Sequence, residues 1–295
     1  MRHAAFASAL GIAFVAAIVC AQSPPAGDPV ADKWPALLKE GKASDARVLC
    51  EAWLQSSDLR QKTEAHKCLA NVALSGAEVT TIQAGDTGGG YIGGGYKPEA
   101  IDEALAHLKE ALKLMPQDLS VHKGRLHLLS FGGRFAAMPK ALEESLQTYE
   151  GSTVDTWIAY SYELFDAQQY RSGIELLKVL EKTFPNDHQI VGNLGAMYGM
   201  LKDDRNAVAY LRRAVELAPD DPIDTWNLGR TYDYTGETAL ADKWYTKSLG
   251  VDSDAERTEH NWCVYAEFVE TKRKQPQRAC DIQKKHECKP KACKQ

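Results

Sequence analysis

Outside its first twenty residues the sequence has no apolar run approaching membrane length, so nothing beyond that stretch is expected to span a bilayer. It has no His-Glu-x-x-His and no Gly-x-Ser-x-Gly, which removes the commonest zinc-protease and serine-hydrolase sites. Ser120-Val-His-Lys123 matches Ser-x-x-Lys, but no partner motif follows, and Ser120 reads better as part of a helix start after Pro116. There is no Cys-x-x-Cys, the usual opening of a structural zinc site. Cys280, His286, Cys288 and Cys293 lie close enough to supply four ligands, and they remain the alternative to disulfides there. The other histidines (His66, His107, His122, His127, His188, His260) are scattered, with no pair four apart on one helix. A Gly-rich stretch exists at 85–97, but a helix is expected before it. It ends Tyr96-Lys97-Pro98 rather than in Gly-Lys-Ser/Thr, so it is not expected to cradle a phosphate. No catalytic residue, metal or cofactor is expected.

What is present describes a folded chain of 295 residues, 44% hydrophobic and 25% charged. The net charge is −5, unevenly spread. The last 25 residues carry nine Lys/Arg against Asp281 and Glu287, so the tail is basic and the body strongly acidic. The acidic body excludes nucleic acid as a partner. The tail adds a salt-sensitive contact with an anionic surface. At the other end, Arg2 precedes the apolar residues 4–19, and Val19-Cys20-Ala21 offers a signal-peptidase site. A signal peptide over 1–21 is expected, then a Pro-rich disordered leader over 22–30. Lipidation at Cys20 is the alternative, and the small residue that usually precedes such a cysteine is replaced by Val19. The mature protein is expected in a bacterial envelope, periplasmic or extracellular, with no transmembrane segment.

Residues 154–255 fall into three lines of 34 opening at Val154, His188 and Pro222. Their columns agree: Tyr160, Leu194, Leu228; Ser161, Gly195, Gly229; Leu164, Tyr198, Tyr232; Gly173, Ala207, Ala241; Leu177, Leu211, Tyr245. Small residues stand where two helices cross closely, large ones fill the adjacent gap, and Pro185 and Pro219 stop the second helix. A strict period of this length marks a helix-turn-helix solenoid. The pattern resembles the tetratricopeptide repeat (TPR) family, most closely in TWNLGRTYDYTGETALADKWYTKSL. The family's first large aromatic is on time at Trp157 and one place late at Trp226.

The resemblance implies an all-α, right-handed solenoid of about six helix pairs over 31–270, followed by a Cys/Lys-rich cap or tail over 271–295. It also implies that the first helices line a concave groove holding a protein or peptide. Helix geometry projects Tyr162, Phe165 and Asp166, then Gln189, Asn193 and Met200, then Trp226, Arg230, Asp233 and Tyr234 into that groove. One TPR subgroup holds C-terminal carboxylates with Lys and Asn on these helices. Here Asn193 and Asn227 are present without any Lys, so that activity is not expected.

Irregular pairs flank the three lines. A degenerate pair lies over 31–54, a helix over 63–79, and a second helix over 98–114 between Pro98 and Pro116. The Gly-rich insertion between those helices reads as a flexible loop. Tyr91 and Tyr96 within it are the candidates for closing over a small or polymeric envelope ligand. Six cysteines follow the expected cleavage point, and an even count in an exported chain favours disulfides. Cys50 and Cys68 fall on helices that neighbour each other in such an array and are expected to pair. Cys263, Cys280, Cys288 and Cys293 then pair among themselves. The function expected is a non-catalytic protein-binding scaffold, with a ligand carrier built on the Gly/Tyr loop as the alternative.

Overall fold

The computed structural model describes residues 33–87 and 90–288. The expected signal peptide, the leader, Cys293 and the side chain of Tyr91 lie outside that description. The chain divides into two compact units, Met1–Val179 and Leu180–Gln295. The first holds α1 (Lys33–Lys39), α2 (Ala43–Trp53), α3 (Leu59–Leu74), β1 (Glu78–Ala84), β2 (Gly90–Tyr96), α4 (Pro98–Leu114), α5 (Leu119–Phe131), α6 (Met138–Thr148), α7 (Val154–Trp157), α8 (Ala159–Asp166) and most of α9 (Tyr170–Thr183). The second holds α10 (His188–Met200), α11 (Asp204–Leu217), α12 (Pro222–Thr235), α13 (Thr238–Val251), α14 (Ala255–Thr271) and α15 (Pro276–Lys285). Among the described residues successive helices pack in the pairs α1–α2, α3–α4, α5–α6, α10–α11, α12–α13 and α14–α15, the last lying partly beyond the expected solenoid. No described helix is long and apolar enough to cross a membrane.

The helix starts are written in side chains. Asp58, Asp118, Asp187, Asp203, Asp221 and Asp254 each accept a backbone N–H of the first turn that follows. Pro98, Pro139, Pro222 and Pro276 stand in first turns, where a missing N–H costs nothing. Gly236, with φ of 82°, closes α12 in the left-handed region.

The small-residue columns set the spacing within pairs. A Cβ on Gly195 would lie 2.5 Å from Leu211 Cγ, and one on Gly229 only 3.0 Å from the Tyr245 backbone nitrogen. Around these crossings the second unit buries Leu211, Leu228, Tyr232, Ala241, Tyr245, Tyr265 and Phe268. In the first unit one core forms around Trp34, Cys50, Cys68 and Leu69, and another around Ala104, Leu108, Ala111, Val121 and Leu128. Fully burying each large aliphatic side chain contributes about 1.5–3 kcal/mol, offset largely by chain entropy.

The Gly-rich insertion departs from the loop expected of it. Residues 78–84 and 90–96 pair as an antiparallel hairpin, with Ile82 opposite Ile92 and Glu78 opposite Tyr96. The helix expected over 63–79 therefore stops at Leu74. Gly76, at φ of 74°, turns the chain, and the β-branched run Val79-Thr80-Thr81-Ile82 prefers the extended state. A strand, not a helix, precedes the glycines. The hairpin tip docks on the turn between α8 and α9. There Asp86 N–H donates to the Gln168 carbonyl at 2.9 Å. The Asp86 carboxylate accepts from Arg171 backbone N–H at 2.6 Å and from Arg171 Nη1 at 3.0 Å. A carboxylate from 85 residues away thus caps α9.

Two disulfides join described residues. Cys50 on α2 bonds Cys68 on α3, with Cα atoms 6.2 Å apart. Cys263 on α14 bonds Cys288, with Cα atoms 5.5 Å apart. Cys280 is also disulfide-bonded.

Candidate functional site

In the second unit, α10 and α12 are the first helices of successive pairs. Trp226, Arg230, Asp233 and Tyr234 are spaced 4, 3 and 1 along α12, which places them on one stripe of that helix. Gln189, Asn193 and Met200 form the matching stripe on α10, all half-buried. Tyr234 is 73% exposed. Trp226 is half-buried and lies against Tyr245, ring centroids 4.5 Å apart. The one-place delay noted in the sequence explains this. Thr225 occupies the fully buried column that Trp157 fills in the first unit, and Trp226 moves to the helix flank.

The polar groups on this stripe act on one another. Burial, then the charge of Asp233, raises the Tyr245 hydroxyl, and Arg230 opposes that shift. Burial also raises the Asp233 carboxyl, against the pull of Lys272. Asp233 Oδ1 is out of reach of water and accepts no hydrogen bond. Its nearest cation is Lys272 Nζ at 3.9 Å. An acceptor in that state lacks about one hydrogen bond's worth of stabilisation, of order 1–3 kcal/mol. Arg230 supplies the complementary cation one turn away, and Tyr234 an open aromatic face.

In the first unit, Tyr162, Phe165 and Asp166 occupy α8. Tyr162 is 47% exposed, while the Phe165 ring meets Tyr170 edge-on at 5.4 Å. Burial, then Glu163, raises the Asp166 carboxyl. Tyr96 does not stand over a ligand: it is 8% exposed and belongs to the core between α3 and α4. Burial pushes its hydroxyl up to about 12. The basic tail is partly folded and partly neutralised. Ala279 and Gln283 of α15 are buried, Arg273 and Arg278 meet Asp242, and Lys272 meets Asp233. Lys274, Lys284 and Lys285 remain exposed.

Two polar clusters escaped the sequence reading. At the α10–α12 junction, His188 Nδ1 lies 3.0 Å from Asp224 Oδ2, and these two with Asp221 have ligand-type atoms all within 4.8 Å. Asp224 is 4% exposed and sits where a Cβ on Gly192 would be. Burial, more than the carboxylates of Asp221 and Asp187, pushes it up to about 6 despite its bond to His188. Asp221 Oδ1 is already engaged by the N–H groups of Ile223 and Asp224. The cluster can hold and exchange a proton. The second cluster pairs His66 on α3 with His107 on α4, Nδ1 to Nδ1 at 3.1 Å. A Ser–His contact among the described residues, Ser145 with His122 at 3.0 Å, lies in the core, and His122 Nε2 is tied to the Pro116 carbonyl. It fastens α5 to α6.

The tetratricopeptide repeat sequence model matches residues 188–221 and 226–254. No curated protein matches. Among solved structures, a type IV pilus biogenesis factor, PilW, is 16% identical, aligning 65% of this chain with 86% of its own at a TM-score of 0.45. YrrB, described as a TPR protein with an unusual peptide-binding site, is 15% identical over 78% of this chain and 97% of its own, TM-score 0.41. PilF of Pseudomonas aeruginosa is 13% identical over 64% and 82%, TM-score 0.43. The matched residues coincide with the regular helix pairs α10–α11 and α12–α13, so the chain carries tetratricopeptide repeats over those two pairs.

Proposed function

We propose that this protein is an exported, non-catalytic scaffold that holds an extended peptide or a partner's helix against the first helices of its repeats, with the α10 and α12 stripes of the second unit as the contact face. The observation that carries the reading is the Tyr234 ring, 73% exposed on the same stripe as Arg230 and Trp226. A carboxylate of the partner meets Arg230, and an apolar side chain packs on Tyr234 and the Trp226 flank. The bonded cysteines support an oxidising compartment.

The test is selection of a random-peptide library on the immobilised protein, followed by affinity measurement with variants. Arg230→Ala and Tyr234→Ala are expected to weaken the selected peptides at least about tenfold. Thr246→Ala, on the exposed part of the second helix α13, is expected to leave binding intact. Equal affinity across all three variants sinks the proposal.

A further inference from the structure

The hairpin between α3 and α4 has no counterpart in the helical repeat, and its chemistry differs from that of the helices around it. It is a sheet of two strands, so each strand keeps one edge with no strand beside it. In an antiparallel pair about half of a strand's N–H and C=O groups point to its neighbour and the rest point away. The two edges are not equivalent. β2 also meets α5, whereas the substantial contacts of β1 among the described residues are with β2 alone. The outer edge of β1 is the open one.

The features that usually protect such an edge are missing. The register runs one-to-one from Glu78–Tyr96 to Ala84–Gly90 without a bulge, and residues 79–84 and 90–96 contain neither proline nor charge. The strand is also held extended at both ends. Lys97 N–H closes the base on the Ala77 carbonyl at 2.9 Å, and Asp86 fastens the tip to Gln168 and Arg171. Little further ordering is needed when another strand joins it.

The register also says what fits. Side-chain pairs across strands are the unit of sheet stability. Val79, Thr80 and Thr81 stand opposite Gly95, Gly94 and Gly93, so three β-branched residues in succession have no side chain opposite them. A third strand on the far side of β1 supplies the pairs that the glycines cannot. Its middle is uncharged, like β1, and β-branched residues suit it best. Charge sets one end. Glu78 is exposed and meets no cation among the described residues, while Asp86 at the other end already holds Arg171. In the more stable antiparallel sense, the C-terminal end of the added strand lies beside Glu78.

We propose that the outer edge of β1 docks an extended segment of a partner protein, uncharged and β-branched over about five residues and ending in Lys or Arg beside Glu78, which adds as a third antiparallel strand. This surface is separate from the α10 and α12 stripes and does not depend on them.

The experiment titrates the full chain with the fluorescein-labelled peptide Thr-Val-Thr-Ile-Thr-Val-Lys-amide, followed by anisotropy and by amide hydrogen exchange. One equivalent is expected to bind and to protect alternate amides of residues 79–84. Two further peptides carry N-methyl groups on alternate residues, in the two possible phases. An added strand uses the donors of one edge only, so one phase is expected to lose at least about tenfold in affinity and the other to bind like the parent. Glu78→Lys is expected to weaken the parent about threefold and to recover with the same peptide ending in Glu. Circular dichroism checks that this variant is folded. The proposal is overturned if the parent peptide does not bind, if both N-methylated phases or neither lose affinity, or if protection falls on α10 and α12 instead of β1. A free chain that is already a dimer through β1 and refuses the peptide also overturns it, because the occupant is then a second copy.

Discussion

A carboxylate hidden from water, as Asp224 is, makes stability depend on pH in an unusual direction. Its folded value, pushed up to about 6 chiefly by burial, exceeds that of an unfolded Asp. The folded state therefore binds the proton more tightly, and this residue's contribution is largest in acid and falls as pH rises from about 4 to about 6. The groups facing it are Asp187 and His188 at the start of α10, and Asp221 beside it, with Arg257 of α14 acting on Asp221. Asp224→Asn is expected to flatten that slope, so the difference in Tm between variant and wild type moves in the variant's favour between pH of about 4 and about 7. A constant difference across the range refutes the assignment. Neither partner announces itself alone in the sequence. The signal available was the period: residues 34 apart neighbour one another in successive repeats, and His188 and Asp224 are 36 apart. Gly192 gave no hint that it was vacant for a neighbour's carboxylate rather than for a helix crossing.

The element scale divides what was legible from what was not. The regular columns translate directly into buried crossings, because Leu211, Leu228, Ala207 and Ala241 have no exposed surface. Pro98 in the first turn and Pro116 beyond the last put α4 at its expected bounds. The hairpin was missed because thirteen residues rich in glycine read as flexible, although Val79 to Ile82 carried a strand signal that helical expectation overrode. The contact stripe was legible only as a direction from the helix axis. That Trp226 leans on Tyr245 while Tyr234 stands clear depends on packing that no single repeat encodes. Between elements, the Cys50–Cys68 bond closes a short loop linking α2 to α3. In the chain-entropy account a loop of 18 residues is worth about 3 kcal/mol. Replacing both cysteines by alanine is expected to lower the unfolding free energy of the first unit by roughly that amount in urea titration. A change under about 0.5 kcal/mol contradicts this.

At the scale of the molecule, the two units respond differently to acid. In the first, His66, His107 and His122 are each lowered by burial. Their contribution is present above the ordinary histidine value and is lost as pH falls through it. In the second, Asp224 acts in the opposite sense. The tip of the hairpin matters at this scale too. Asp86 ties the insertion between α3 and α4 to the start of α9, passing over the whole of the intervening pair α5–α6. Asp86→Ala is expected to let the α9 N-terminus exchange its amide hydrogens independently of the hairpin, while wild type protects both together. Identical exchange in the two proteins rules this out. A repeat array normally unravels like a row of coins, each lost from an end at the cost of one interface. A tie that skips a member changes the statistics. The pairs between its anchor points can no longer be shed one at a time, because opening any of them strands a loop closed at both ends. The first unit is therefore expected to unfold as a single cooperative block, with fraying confined to α1, because the Cys50–Cys68 bond holds α2 to α3.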